Sequence, residues 1–432
     1  MRQTLLYIPH ELFGIPVFGL GWALGAWLVF SVVLLFVLSR RHGWTSEVLG
    51  YLPLVAVFGV ALYALLPLLE VRPRGMEPLG LAIRGYGVFV LAGIVAGMSL
   101  SIYRAKQIGM DPELIYSLAF WLFIIAIAGA RLFYVIQKWE EFERETPLAT
   151  AGAIMKFTEG GLVVYGSVFG GILALYLFSR RQQMSMFELG DVIAPGMAIG
   201  LAFGRIGCLM NGCCYGGICD EWPPAITFPR HASVELEQLS PPYAHQLAIG
   251  ELHGFRIGND GSNNVIVIDV EHNSKAETAG LKAGTKIDRL NGREVTDLES
   301  AQKILMAGSP RITINDDDIS WTIDQLPARS RPVHPTQIYS SINAALLCLV
   351  VWFAYPFRRR HGEILLLLFA LYSIARFFEE AIRNDEAGQL GTSLTISQLV
   401  SLGVLVLCIV VWLVRLRQPR IAADVAPPAV SA

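Results

Sequence analysis

Runs of about twenty apolar residues recur along this chain, and each must be buried or placed in lipid, which leaves few folds open. They fall at 17–38, 51–69, 85–103, 114–136, 162–178, 192–209, 338–354, 364–378 and 395–414. Each is read as a candidate bilayer-spanning helix. With 53% hydrophobic and 16% charged residues among 432, the chain is too apolar for a soluble protein. The expected fold class is an α-helical polytopic membrane protein of about nine transmembrane helices. A formal net charge of -2 gives no basic footprint for nucleic acid, so no nucleic-acid partner is expected. No basic leader with a small-residue cleavage site precedes the first run, which is read as retained.

Basic clusters set the orientation. Arg40/Arg41, Arg104/Lys106, Arg180/Arg181, Arg358/Arg359/Arg360 and Arg415/Arg417/Arg420 sit on alternate sides of successive spans, and such clusters mark the cytoplasmic face. The N-terminus and the interval 210–337 then lie outside, and the C-terminus inside. Arg72, Arg74, Lys138 and Arg144 count for less, because Glu70, Glu140, Glu141 and Glu143 balance them or their loops are longer.

Within that outer interval the composition turns to short alternating strands, glycine turns and one polar helix, the pattern of a soluble α+β domain. Ala279-Gly280-Leu281-Lys282-Ala283-Gly284-Thr285-Lys286-Ile287 and Leu290-Asn291-Gly292-Arg293-Glu294-Val295 resemble the helix, turn and hairpin of a PDZ domain. The resemblance puts a carboxylate-binding loop at Gly254-Phe255-Arg256-Ile257 and a groove-flanking helix at 298–305, so that a peptide C-terminus could be captured by strand addition. The alternative is a module that only packs on the rest of the chain, since His253 and Arg256 depart from the usual small, apolar loop.

Charge inside an apolar span costs about 2.5–3.5 kcal/mol on insertion scales, which makes each case a candidate site. Arg131, Arg205 and the group Arg376, Glu379, Glu380, Arg383 qualify, all toward the outer face. A guanidinium fork suits a phosphate, so Arg205 is read as a ligand for an anionic headgroup. Arg376 with Glu380 is read as an interhelical pair. The glycines Gly160, Gly161, Gly166, Gly170, Gly171, Gly204, Gly207 and Gly212 fit close helix packing or room for a lipid chain.

Five ordered segments then carry a family resemblance. They are Ile83-Arg84-Gly85-Tyr86-Gly87, Glu159-Gly160-Gly161-Leu162-Val163-Val164-Tyr165-Gly166-Ser167, Gly204-Arg205-Ile206-Gly207-Cys208-Leu209-Met210-Asn211-Gly212-Cys213-Cys214-Tyr215-Gly216, His334-Pro335-Thr336-Gln337-Ile338-Tyr339, and Arg376-Phe377-Phe378-Glu379-Glu380-Ala381-Ile382-Arg383-Asn384-Asp385. Together they resemble the prolipoprotein diacylglyceryl transferases of bacterial inner membranes. The resemblance implies a seven-helix body in two parts, 81–222 and 326–418. Two helices within 1–80 are then an addition, 223–251 a linker, 252–325 the PDZ-like domain, and 419–432 a disordered tail.

It also implies phosphatidylglycerol and prolipoprotein signal peptides as partners, with the diacylglyceryl group passing to the thiol of the lipobox cysteine and glycerol phosphate leaving. Arg205 would hold the headgroup and the leaving phosphate. By the same resemblance Arg205, Tyr165 and His334 would be the catalytic residues, and Tyr86, Asn211, Gly204, Gly207, Tyr339 and Arg331 would bind the substrate. The chain departs from the family pattern at Tyr165, where histidine is common, at Cys208, where asparagine is, and at Cys213, where an acid is. Val333 replaces the arginine before the histidine of the fourth segment, leaving Arg331 or Arg329 to substitute. A tyrosine, with an ordinary pKa near 10, is a poor base at neutral pH. A phospholipid-binding homologue without catalysis is therefore the second reading, and a transporter the third.

Four of the six cysteines, Cys208, Cys213, Cys214 and Cys219, crowd the end of the sixth span, while Cys348 and Cys408 read as core. In an oxidising space the plainest expectation is local disulfides. Four thiolates could also close on zinc, although paired CxxC knuckles are lacking, and a reactive thiol is the third choice. No cofactor and no metal are expected.

Overall fold

The computed structural model describes residues 3–43, 45–73, 77–144, 146–155, 161, 163–219, 224–233, 238–260, 264–315, 319–383 and 394–420. Arg74, Glu159, Gly160, Leu162, Asn384, Asp385 and the tail from 421 onward lie outside them.

In chain order the helices are α1 (Trp22–His42), α2 (Ser46–Val60), α3 (Gly85–Gln107), α4 (Pro112–Gln137), α5 (Trp139–Phe142), α6 (Pro147–Ile154), α7 (Val164–Arg181), α8 (Met186–Asn211), α9 (Pro241–Ala248), α10 (Lys275–Thr278), α11 (Leu298–Met306), α12 (Thr336–Ala354), α13 (Glu363–Ala381) and α14 (Ile396–Arg415). Seven stretches are long and apolar enough to cross a membrane among the described residues: Trp22–Arg41, Val48–Leu69, Gly85–Gln107, Pro112–Gln137, Met186–Asn211, Thr336–Phe357 and Ile396–Arg415. The other two expected spans are helical but less apolar. α7 ends on Arg180 and Arg181, and α13 carries Glu363, Arg376, Glu379 and Glu380.

The strands are short: β1 (Thr4–Pro9), β2 (Glu11–Leu12), β3 (Ile15–Pro16), β4 (Gly80–Arg84), β5 (His231–Ser233), β6 (Gln238–Leu239), β7 (Phe255–Asn259), β8 (Val265–Val270), β9 (Arg289–Leu290), β10 (Arg293–Glu294), β11 (Arg311–Ile314) and β12 (Ile319–Thr322). The chain divides into two compact units, one of Met1–Val88 with Gly207–His334, the other of Phe89–Ile206 with Pro335–Ala432.

In the second unit, α4 and α7 touch backbone to backbone. A Cβ at Gly129 would stand 2.5 Å from the Gly166 carbonyl oxygen and 3.1 Å from the Gly170 Cα, so only glycine permits the contact. The core gathers Leu118, Phe178, Leu189, Val192, Val351 and Leu368. Polar groups inside are satisfied by the chain. Asp191 on α8 accepts from the backbone N–H groups of Gly362, Ile364 and Leu365 at 2.7, 3.0 and 2.9 Å, capping α13. Arg104 lies 3.7 Å over the Trp352 ring and donates to the Trp352 carbonyl at 2.9 Å.

In the first unit, β1 pairs antiparallel with β4, placing Tyr7 opposite Ala82 and Ile8 opposite Leu81. The segment 255–322 folds around its own core of Phe255, Val267, Leu290, Leu305, Ile312, Ile314 and Trp321. β7 pairs with β8, and a second sheet runs β10-β9-β11-β12. Asn291 and Gly292, both left-handed, make the two-residue turn between β9 and β10, as an Asn-Gly pair does in a hairpin.

The stretch 223–251, expected as a linker, carries β5, β6 and α9 among its described residues, with Tyr243 and Leu247 buried against Leu252. α9 packs on α11. The Ile257 N–H of β7 donates to the Ile249 carbonyl at 2.9 Å, so the chain's own backbone takes a donor that a visiting strand would use.

Candidate active site

In the first unit the candidate residues gather where α8 ends. Gly207 meets the start of α3, and a Cβ there would stand 3.2 Å from Tyr86 Cδ2 and 3.3 Å from the Tyr86 carbonyl oxygen. One turn on from Gly207, Asn211 offers its carbonyl to Gln3 Nε2 at 2.8 Å. Gln3 in turn accepts the Gly85 N–H at 2.8 Å. Tyr86, Gly207 and Asn211 are thus brought together, and the N-terminal segment buttresses them. His334 is held by its backbone against the loop after α8, donating to Gly217 O at 3.0 Å and accepting from Gly216 N–H at 2.9 Å.

Arg331 goes elsewhere in part, since Nη2 lies 3.3 Å from Glu271 Oε1 and its N–H donates to Gln246 Oε1 at 2.8 Å. Arg329 donates through Nε and Nη2 to Thr227 at 2.6 Å. The two arginines proposed to replace the one missing at Val333 are therefore both engaged with the chain around the insert.

The second unit holds Gly204, Arg205, Tyr165 and Tyr339. Arg205 is half-buried on α8, and a Cβ at the preceding Gly204 would meet nothing within 4 Å among the described residues. Ser341, two residues after Tyr339, donates to the Ala202 carbonyl at 3.0 Å, three residues before Arg205. Arg205 and Tyr339 therefore share a layer. α7 and α8 are joined by a short turn and share one core. At 1.5 Å per residue Tyr165 stands about 24 Å along α7 from that turn and Arg205 about 29 Å along α8. Tyr165 is 41% exposed.

A family model described as prolipoprotein diacylglyceryl transferase matches residues 76–414. A phosphatidylglycerol–prolipoprotein diacylglyceryl transferase of Rhodopirellula baltica is 36% identical over 96% of this chain and 90% of its own length. The chain belongs to this family. A second enzyme of that name from Clostridium perfringens is 25% identical over 76% of the chain and 90% of its own. One from Gloeobacter violaceus is 41% identical over 32% and 49%.

Within this transferase family member the polar residues of the spans divide by what they touch. Arg131 is buried, and its guanidinium donates to the carbonyls of Ile154 at 2.9 Å, Gly161 at 3.1 Å and Ala153 at 3.4 Å, while lying 5.1 Å over the Phe142 ring. Those bonds tie α4 to the segment leading into α7, a structural use. Arg376 pairs with Glu380 at 2.5 Å one turn on within α13, not between helices as expected, and Thr395 Oγ1 adds a bond to Glu380 at 3.3 Å. Glu379 accepts from Ser340 Oγ at 2.7 Å.

Two positions went unread in the sequence. Asp191 had a signal, an acid within an apolar run, by the same rule that singled out Arg131. Gln3 had none, because its partners lie 82 or more residues away.

The cysteines differ from the disulfide expectation, since all six are free thiols. Cys208, Cys213 and Cys214 stand together, whereas Cys219 is buried apart from them.

Proposed function

We propose that this chain transfers the diacylglyceryl group of phosphatidylglycerol to the lipobox cysteine thiol of prolipoproteins. The thiol sulfur loses its proton and attacks the glycerol carbon that bears the phosphate, the carbon–oxygen bond breaks, and glycerol phosphate leaves. Arg205 binds the headgroup and holds the charge that builds on the leaving phosphate, where a preorganised donor lowers the barrier most. Tyr86, Asn211, Gly204 and Gly207 line the pocket, Tyr165 donates to the phosphate, and His334 and Tyr339 form its wall. The observation that carries this arrangement is the end of α8, where Arg205, Gly207 and Asn211 follow one another on a helix packed at Gly207 against Tyr86.

The body spans the inner membrane with α7 and α13 crossing as well, which makes nine spans, the N-terminus outside and the C-terminus inside. The insert 252–325 is a PDZ-like domain on the outer side. Its peptide groove is one reading of its use. The Ile257–Ile249 bond and α9 on α11 favour a second, in which the insert holds 223–251 in place as a packed module.

The test is transfer of labelled diacylglycerol to a lipobox peptide by the purified protein, with a serine peptide as control. Cysteine-dependent labelling is expected, falling about 100- to 1,000-fold in Arg205→Ala. Full activity in that variant would sink the site assignment.

A further inference from the structure

Cys208 lies in the last turn of α8, and Cys213 and Cys214 follow Gly212, whose φ of +76° turns the chain back. The Cys213 N–H donates to the Cys208 carbonyl at 3.1 Å, which folds the second thiol over the first. Cys214 adopts φ +59°, a left-handed conformation that a side chain other than glycine or asparagine takes up only at a cost. The result is a triangle of sulfurs, all within 4.8 Å of one another, each residue half-buried.

Three uses compete for such a triangle. A disulfide needs sulfurs at about 2.05 Å and would leave the third thiol unpaired. Neighbouring Cys213 and Cys214 form one side of the triangle, and a bridge between adjacent residues demands a strained ring. A cluster of inert core thiols would not need the left-handed Cys214, nor partial exposure. Thiolates around a tetrahedral zinc ion, with Zn–S near 2.3 Å, stand about 3.8 Å apart, a spacing that three sulfurs within 4.8 Å of one another admit.

We propose that Cys208, Cys213 and Cys214 form a binding site for Zn²⁺, a thiophilic d¹⁰ cation, with three protein thiolates and a fourth position open to water or an external thiol. Each thiol gives up its proton to the solvent as the metal binds, and no redox change is involved. Three protein ligands with one open position is the pattern of zinc sites that do more than staple a fold. Cys219 lies outside the set. The assignment does not depend on the transferase reading and departs from the sequence expectation of no metal.

The experiment uses full-length protein in detergent, reduced, stripped with chelator and reloaded with Zn²⁺ or, as a spectroscopic probe, Co²⁺. The expected result is metal bound one to one, with a thiolate-to-cobalt charge-transfer band and tetrahedral ligand-field bands. Both are lost in Cys208→Ser and in Cys213→Ser/Cys214→Ser and kept in Cys219→Ser, with monodisperse elution confirming that each variant is folded. Failure of the reduced wild type to bind metal would overturn the site. So would a charge-transfer band that survives the double variant, loss in Cys219→Ser, or a Cys208–Cys213 disulfide in peptide maps of protein isolated without reductant.

Discussion

The insert and the spanning helices sort their residues in opposite ways. In the insert, Leu290, Leu305, Ile312 and Ile314 are fully buried and its charged groups face outward, as in any water-soluble domain. On the helices, Phe36, Leu91, Phe120 and Leu407 face outward, and the interior holds Arg131, Asp191 and Glu380. Apolar contact drives folding where water surrounds the domain, but lipid is as apolar as leucine, so helices in it are held by close packing and internal hydrogen bonds. A substitution that costs most in one region should therefore cost least in the other.

The largest effect expected from this contrast is in the insert. Ile312→Ala leaves a cavity in a core with nowhere to collapse and should destabilise the insert by about 2–5 kcal/mol, read as faster proteolysis of 255–322. Transfer by the membrane body should persist. Loss of transfer in step with proteolysis would mean that the two regions are coupled.

Acid offers a second separation. His253 is buried at the start of the insert, and burial alone pushes its imidazole down to about 4. The unfolded ring titrates near 6.5, so the folded state is the poorer proton acceptor. Its stability is fully present above about pH 6.5 and is lost as pH falls toward 4, by about 3 kcal/mol. Proteolysis of the insert should rise through that window, and His253→Leu should flatten the rise. An unchanged slope in His253→Leu would place the sensitive group elsewhere.

Among the helices the polar interior is the sensitive part. Asp191→Ala strips the cap from α13 and leaves three N–H groups buried without a partner. A loss of about 1–3 kcal/mol is expected in thermal melts of detergent-solubilised protein, while Leu407→Ala on the outer face should cost far less. Equal costs would break the comparison.

What could be read from the sequence follows the range of each interaction. The apolar runs mark seven candidate spans because hydropathy is local, whereas the Arg376–Glu380 pair, read as a link between helices, closes one turn within α13 as helical spacing allows. The hairpin at Asn291-Gly292 is legible because left-handed turns select those residues. The closed edge of β7 was not legible. Ser240-Pro241-Pro242 reads as a linker, and only the fold reveals that Ile249 returns to Ile257. Nor does the spacing of the four cysteines tell which three converge, since the turns at Gly212 and Cys214 decide that. In the site, Arg205 stands out as a charge in an apolar run, whereas Arg329 and Arg331 looked interchangeable until their partners were seen.

The smallest predicted effect tests whether the N-terminal segment serves the site or only extends the chain. β1 lies against β4, the strand that leads into α3 and Tyr86, and Gln3 bridges the Gly85 N–H and the Asn211 carbonyl. Gln3→Ala keeps the backbone bond to Gly85 and removes only the side-chain donor, so about 0.5–1.5 kcal/mol is at stake. If Gln3 positions the end of α8, KM for phosphatidylglycerol should rise several-fold with the melting temperature nearly unchanged, and Gln3→Asn, one methylene short, should not restore it. If the segment only adds stability, the melting temperature should fall and KM should stay where it was.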